Sequence, residues 1–280
     1  MGNKGRTLPK LKSFLKKFVI VYLIVCVGMY SFQRSLMYVP TIAIESPASY
    51  GLVDFSAINL TAKDGTKLEA WYHPAKEDFP TIIHFHGNGG NLSHRAVFFG
   101  LLRDAGFGVL GLDYRGYGKS EGKPSEDGFY QDGRTTMEYA TKTLSIPENK
   151  IIIYGESIGS GVAVQMATEH KIAAMILQSP FTSMAAPASN RYPWLPVNLL
   201  LKDRYDSLSK IENIHAPTLF FHGEMDTLVP ITLGKELFAK ANEPKQAIYF
   251  PEVNHNNFDL KKLTSAVLEF SKTYKLITNF

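Results

Sequence analysis

The sequence predicts an α/β fold: a mostly parallel central sheet with helices on both faces. Three observations predict it. Short continuous apolar stretches alternate with amphipathic stretches of helical period, the pattern of strands buried on both faces and joined by crossover helices. An Asp64-Gly65 pair separates two strand-like segments, a hairpin signal that adds antiparallel strands at one edge. The run Ile151–Gly161, IIIYGESIGSG, passes from an apolar strand into a glycine-rich helix start.

The elements follow in order. VDFSAINLTA and KLEAWYHPA form the hairpin around Asp64-Gly65. TIIHFHG reads as a strand and SHRAVFFGLLRDAG as a helix. FGVLGLDYRG is the next strand and GFYQDGRTTMEYATKTL the next helix. IIIYGES and IGSGVAVQMATEH repeat the pair, and AAMILQSP is a strand. An irregular insertion over about 181–213 follows, with NLLL as a short helix inside it. PTLFFHGEMD, ITLGKELFAKA, QAIYFPEV and NNFDLKKLTSAVLEFSKTYK then read as strand, helix, strand and closing helix. In such a sheet, ligands gather at the carboxyl ends of the strands.

The N-terminus differs in kind. Residues 1–17 carry Lys4, Arg6, Lys10, Lys12, Lys16 and Lys17 and no acid, while the whole chain has a net charge of +4. The body is therefore not basic, which argues against a nucleic-acid partner. Phe18–Phe32 is uncharged and apolar, and it extends to Val39 if Gln33 is tolerated and Arg34 snorkels. Tyr30 and Tyr38 suit an interface. No small-residue cleavage site follows Phe32, and Val25 before Cys26 argues against a lipoprotein site. The expectation is an uncleaved single-pass anchor over 18–39. Its N-terminus is cytoplasmic, and the body lies on the other, periplasmic or lumenal, side. Residues 40–52, with Pro40, Ser46, Pro47, Ser49 and Gly51, read as a linker to the domain 53–280. Cys26 is the single cysteine of 280 residues, so an intrachain disulfide framework is excluded.

Gly155-Glu156-Ser157-Ile158-Gly159 matches G-x-S-x-G at a strand-to-helix turn. Glycines two residues either side leave room for a tight elbow that presents Ser157 as a nucleophile. The Ile158 N–H at the helix start can face a developing oxyanion. A nucleophilic serine needs a base and an orienting acid. Asp226 and His255 each lie just past a predicted strand, in the chain order serine, acid, histidine. Glu224 is the competing acid; His222, His215 and His170 are the other histidines weighed. The second oxyanion donor is expected from the loop His84-Phe85-His86-Gly87-Asn88-Gly89-Gly90-Asn91, with Asn88 preferred and Gly89 the alternative. His86 reads as a loop-positioning group, and no carboxylate cluster near His84 and His86 suggests a metal site. No cofactor is called for.

HFHGNGGN, DYRGYGKSEGKPSEDGFYQD, YGESIGSG, HGEMDTLVP and VNHNNF occur in the order found in α/β-hydrolases. The resemblance spans roughly Val53 to Lys275. It is nearest to membrane-anchored α/β-hydrolase-domain proteins related to protein depalmitoylases, and more distant from monoacylglycerol lipases and serine aminopeptidases. It implies an α/β-hydrolase fold with a short cap insertion. It also implies Ser157 as nucleophile, Asp226 as orienting acid, His255 as base, and oxyanion N–H groups from Ile158 and Asn88. Many members have Gly before the catalytic histidine, where this chain has Asn254. Asp113 and Arg115 of the DYRGYG segment read as loop-holding residues.

The expected activity is hydrolysis of carboxylic esters or thioesters at a membrane. The substrate is lipid-like or a small acyl compound, held by apolar cap residues including Tyr192, Trp194 and Leu195. Arg191, Lys202 and Arg204 are candidate cations for a substrate carboxylate. Two other readings stand beside it: a peptidase, for whose free amino group the insertion offers no obvious acidic cluster beyond Asp203 and Asp206, and a non-catalytic binding module.

Overall fold

The computed structural model describes residues 7–277. Lys4 and Arg6 of the basic N-terminus lie outside them. The described residues begin with α1, Thr7–Met37, and its stretch Leu11–Met37 is long and apolar enough to cross a membrane, with 6% of its most apolar part buried. The helix thus starts earlier than the anchor read from sequence and stops two residues before it. Then come β1 (Val39–Pro40), β2 (Ser56–Thr61), β3 (Lys67–His73), β4 (Thr81–Phe85), β5 (Gly89–Gly90), α2 (Ala96–Ala105) and β6 (Gly108–Leu112). The second half holds α3 (Glu126–Glu138), β7 (Ile151–Glu156), α4 (Ile158–Glu169) and β8 (Ala174–Gln178). It ends with α5 (Ala185–Arg191), α6 (Val197–Leu200), β9 (Thr218–Gly223), α7 (Ile231–Lys240), β10 (Lys245–Phe250) and α8 (Leu260–Thr273).

The eight-stranded sheet has the order β10-β9-β8-β7-β4-β6-β3-β2. Strands β10 through β6 are parallel, and β3 and β2 are antiparallel additions at one edge. The hairpin closes where Asp64-Gly65 predicted it: Gly65 has φ 89°, and the Asp64 carboxylate accepts from the Thr66 N–H at 3.1 Å. Successive residues of β7 alternate between two cores. Ile151 and Ile153 join the one with Phe129, Val162 and Met166; Ile152 and Tyr154 join the one with Phe99, Leu263 and Val267. A period of two between two apolar layers is why β7 shows no polar face in the sequence.

Residues 40–52, read from the sequence as a linker, pack against the body. Tyr38, Ile44, Pro47 and Leu52 are buried, and Val39-Pro40 pairs in parallel with Gly89-Gly90. Arg34 does not snorkel. It grips the buried Asp203 with two hydrogen bonds of 2.8 and 2.9 Å, because a cap carboxylate left without a cation there would carry the cost of an unpaired buried charge.

Candidate active site

β7 ends at Glu156 and α4 begins at Ile158, so Ser157 alone makes the turn. Its backbone sits at φ 51°, ψ −117°, a conformation L-residues rarely hold. The flanking glycines are required by contact. A Cβ on Gly159 would stand 2.1 Å from the Phe85 carbonyl oxygen, and one on Gly155 would stand 2.6 Å from Ala163 Cβ. α4 is therefore packed hard against the end of β4.

Three elements converge on the serine. His255 Nε2 lies 2.9 Å from Ser157 Oγ, and His255 Nδ1 lies 2.7 Å from Asp226 Oδ2. The other oxygen, Oδ1, accepts from the backbone N–H groups of Leu228 and Val229 at 2.9 and 2.8 Å. These contacts fix the histidine tautomer: Nδ1 carries the proton given to the carboxylate, and Nε2 is left to accept from the serine hydroxyl. Burial would raise the Asp226 carboxyl, but hydrogen bonds from His222 and His255 outweigh it and hold the group below the usual carboxylate range. Glu224, the competing acid, is exposed.

The departure at Asn254 is harmless. Its backbone φ is negative, so a glycine is not required there, and its own amide side chain accepts from the Asn256 N–H at 3.1 Å. Asn257 Oδ1 accepts the Asn254 N–H at 2.7 Å.

Asn88 and Ile158 both line the cavity beside Ser157. Among the described residues, no protein acceptor takes the N–H of either one. The Tyr117 hydroxyl donates to the Asn88 carbonyl at 2.8 Å, turning that carbonyl toward the protein. His86 holds the same loop, with Nδ1 donating to the Gly87 carbonyl at 2.7 Å. Asp113 accepts the Leu92 N–H at 2.9 Å, and Arg115 pairs with the buried Asp132 at 2.7 Å, both as loop-holding residues. His84 stacks on Tyr154 and packs against Phe98 and Phe99; burial pushes its imidazole down to about 3, so it stays neutral.

Sequence reasoning missed two supporting groups. Glu156, inside the elbow motif, receives two hydrogen bonds from Arg95 at 3.0 and 3.1 Å, while Arg95 also donates to the Gly89 carbonyl at 2.7 Å. The pair clasps the oxyanion loop to the elbow. Burial would raise the Glu156 carboxyl; the Arg95 charge outweighs that and holds it down to about 2. His222 lost the contest for base, yet it has a role. Its Nε2–H donates to the Val229 carbonyl at 2.8 Å and lies 3.5 Å from Asp226 Oδ2, bracing the acid's loop. α7 packs close over this histidine, since a Cβ on Gly234 would meet His222 Nδ1 at 2.3 Å.

The cavity over Ser157 has a volume of about 520 Å³, within the range of small-molecule sites. Tyr192 and Leu195 line it as expected. Trp194 does not; it is 54% exposed, inside a turn closed by the Leu195 N–H on the Tyr192 carbonyl at 3.0 Å, whose two end residues are the ones that line the cavity. Of the three candidate cations only Arg191 lines the cavity. The Lys202 ammonium sits 4.0 Å over the Tyr30 ring, and Arg204 donates to the Asn198 carbonyl.

The chain is similar to known proteins. Residues 77–205 match the family described as serine aminopeptidase, S33. An uncharacterized protein of Mycobacterium tuberculosis is 38% identical over 83% of both chains. The alpha/beta hydrolase domain-containing protein WAV2 of Arabidopsis thaliana is 30% identical over 80% of this chain and 82% of its own. Among solved structures, the Pyrococcus furiosus esterase Pf2001 superposes with a TM-score of 0.69 at 20% identity, covering 84% of this chain and 98% of the esterase. With the sheet order, the strained elbow and these relatives in agreement, the chain belongs to the α/β-hydrolase family.

Proposed function

We propose that the protein is a membrane-anchored serine hydrolase that cleaves carboxylic esters or thioesters of lipid-like acyl groups. The observation that carries this reading is the unbroken chain of hydrogen bonds from Ser157 through His255 to Asp226 at the floor of an apolar cavity. Ser157 Oγ attacks the acyl carbon while His255 Nε2 takes its proton. The N–H groups of Asn88 and Ile158 receive the oxyanion. The tetrahedral intermediate collapses, the bond to the leaving oxygen or sulfur breaks, and His255 protonates the leaving group. Water, deprotonated by His255, attacks the acyl-enzyme; the acid departs and Ser157 recovers its proton. No step calls on a cofactor.

The lining favours esters over peptides with a free amino terminus. Among the described lining residues none carries a carboxylate, and Asp203 is occupied by Arg34. Full-length protein in detergent is expected to be labelled at Ser157 by a fluorophosphonate and to hydrolyse acyl esters faster than aminoacyl amides. Absence of label on folded protein would favour the binding-module reading, and faster amide cleavage would favour the peptidase.

The anchor reading rests on α1, and the cations before its apolar stretch support a cytoplasmic N-terminus. Alkaline phosphatase fused after Phe280 should then be active and a fluorescent-protein fusion dark. The opposite pair of results would put the catalytic body in the cytoplasm.

A further inference from the structure

α1 does more than precede the catalytic body. Met29, Gln33, Leu36 and Met37 line the same cavity as Ser157, Asn88 and Ile158. Their spacing places them on one face of the helix, and the stripe continues back to the buried Cys26. From Met29 to Met37 the wall runs about 12 Å along the helix axis. Met184, Tyr192, Leu195 and Leu200 face it from the cap. The cavity is thus closed on one side by the helix itself.

The helix is fastened in that position. Gln33 donates to the Leu200 carbonyl at 3.0 Å and accepts from the Lys202 N–H at 2.8 Å. The Tyr38 hydroxyl lies 3.1 Å from Asp203 and 2.9 Å from the Tyr205 hydroxyl. Further back, the Tyr22 hydroxyl donates to the Trp194 carbonyl at 2.9 Å. Tyr22 stands about 22 Å along the helix from Met37, so the cap lies beside the apolar stretch that crosses the bilayer in the reading above. On the outer surface Trp194 and Leu199 are 54% and 83% exposed, and Phe18, Leu23 and Val27 of α1 are exposed as well. An exposed tryptophan whose carbonyl is bonded to a membrane-length helix suits the lipid–water interface.

We infer that α1 is the acyl-chain wall of the active site: a substrate whose acyl chain lies in the bilayer moves along the Met29–Gln33–Leu36–Met37 face until its carbonyl meets Ser157. The inference rests on the serine-hydrolase reading and narrows it to long-chain acyl esters or thioesters held in a membrane. A methylene that passes from water onto the wall strengthens binding about fourfold, whereas a chain already in the bilayer gains none of that transfer and is selected by its fit along the wall.

The test uses full-length protein in phosphatidylcholine nanodiscs and p-nitrophenyl esters from acetate to palmitate. Met29→Trp should lower the palmitate-to-acetate ratio of kcat/KM at least tenfold by filling the wall. Met29→Ala should move the optimum to longer chains. Leu23→Trp, on the exposed face of the same helix, should leave the ratio as in the parent. The same profile in all four proteins, with the parent labelled by a fluorophosphonate, would overturn the acyl-wall inference and leave the hydrolase intact. A parent that takes no label would overturn both. In the same discs, a glyceride ester and an S-palmitoyl peptide distinguish the two sources of such a chain. Turnover of whichever is cleaved should fall in Met29→Trp, and unchanged turnover would count against the wall.

Discussion

Ser157→Ala is expected to lower kcat for an acyl ester by about 10⁴- to 10⁶-fold, the range seen when the nucleophile of such a triad is removed. The change deletes one oxygen, and its hydrogen bond to His255 is the sole side-chain bond it makes among the described residues. The elbow itself is shaped by Gly155, Gly159 and the backbone bond from the Ser157 N–H to the Gln178 carbonyl at 2.8 Å, all of which alanine keeps. The melting temperature should therefore change little. Single-turnover kinetics beside a thermal melt checks both. A folded variant retaining more than about 1% of kcat would remove Ser157 from the reaction proposed.

Asp226→Asn should cost about 10⁴-fold in kcat with little change in backbone structure. The two backbone N–H groups at Leu228 and Val229 would select the amide oxygen, leaving the NH₂ to face His255 Nδ1. The imidazole would then carry its proton on Nε2 and donate to Ser157 instead of accepting from it. Glu224 cannot substitute, since it points to solvent. The same variant has a pH signature in stability. The Asp226 carboxyl is depressed in the fold, so its contribution is present above about pH 4, the unfolded value, and is lost as pH falls toward the folded one. The parent should melt higher than the variant at neutral pH, with the gap closing on acidification below about pH 4. A gap that widens on acidification would mean that the carboxyl is not held ionised by its neighbours.

Much of this site could be read from local pattern. Strand and helix periods located every element of the sheet, and chain order singled out Asp226 and His255 from the other acids and histidines. G-x-S-x-G needed its glycines for contacts within a few residues of Ser157 or at the end of one neighbouring strand, so the motif is visible in a short window. What escaped was side-chain pairing over long separation. Arg34 and Asp203 are 169 residues apart, and nothing near either one marks the other. Arg95 and Glu156 sit on elements whose helix and strand periods are satisfied without the clasp between them. The orientation of Trp194 depends on a turn with no period, and the packing of residues 40–52 on an isolated pair of bridges that composition does not encode.

Those residues after α1 leave no slack. A free chain of thirteen residues would let a tethered domain roam about 20 Å. Here Val39 and Pro40 are zipped to Gly89 and Gly90, the Thr41 N–H is bound to the Gly90 carbonyl at 3.2 Å, and Asn91 donates to the carbonyls of Thr41 and Ala43 at 3.0 Å. In the membrane-anchored reading proposed above, Ser157 is consequently held at one fixed distance from the end of α1. A tool mounted rigidly samples only what two-dimensional diffusion carries past it. Its rate then follows the surface density of substrate around it and not the bulk concentration, so diluting the substrate among inert lipids would slow it while diluting the vesicles would not.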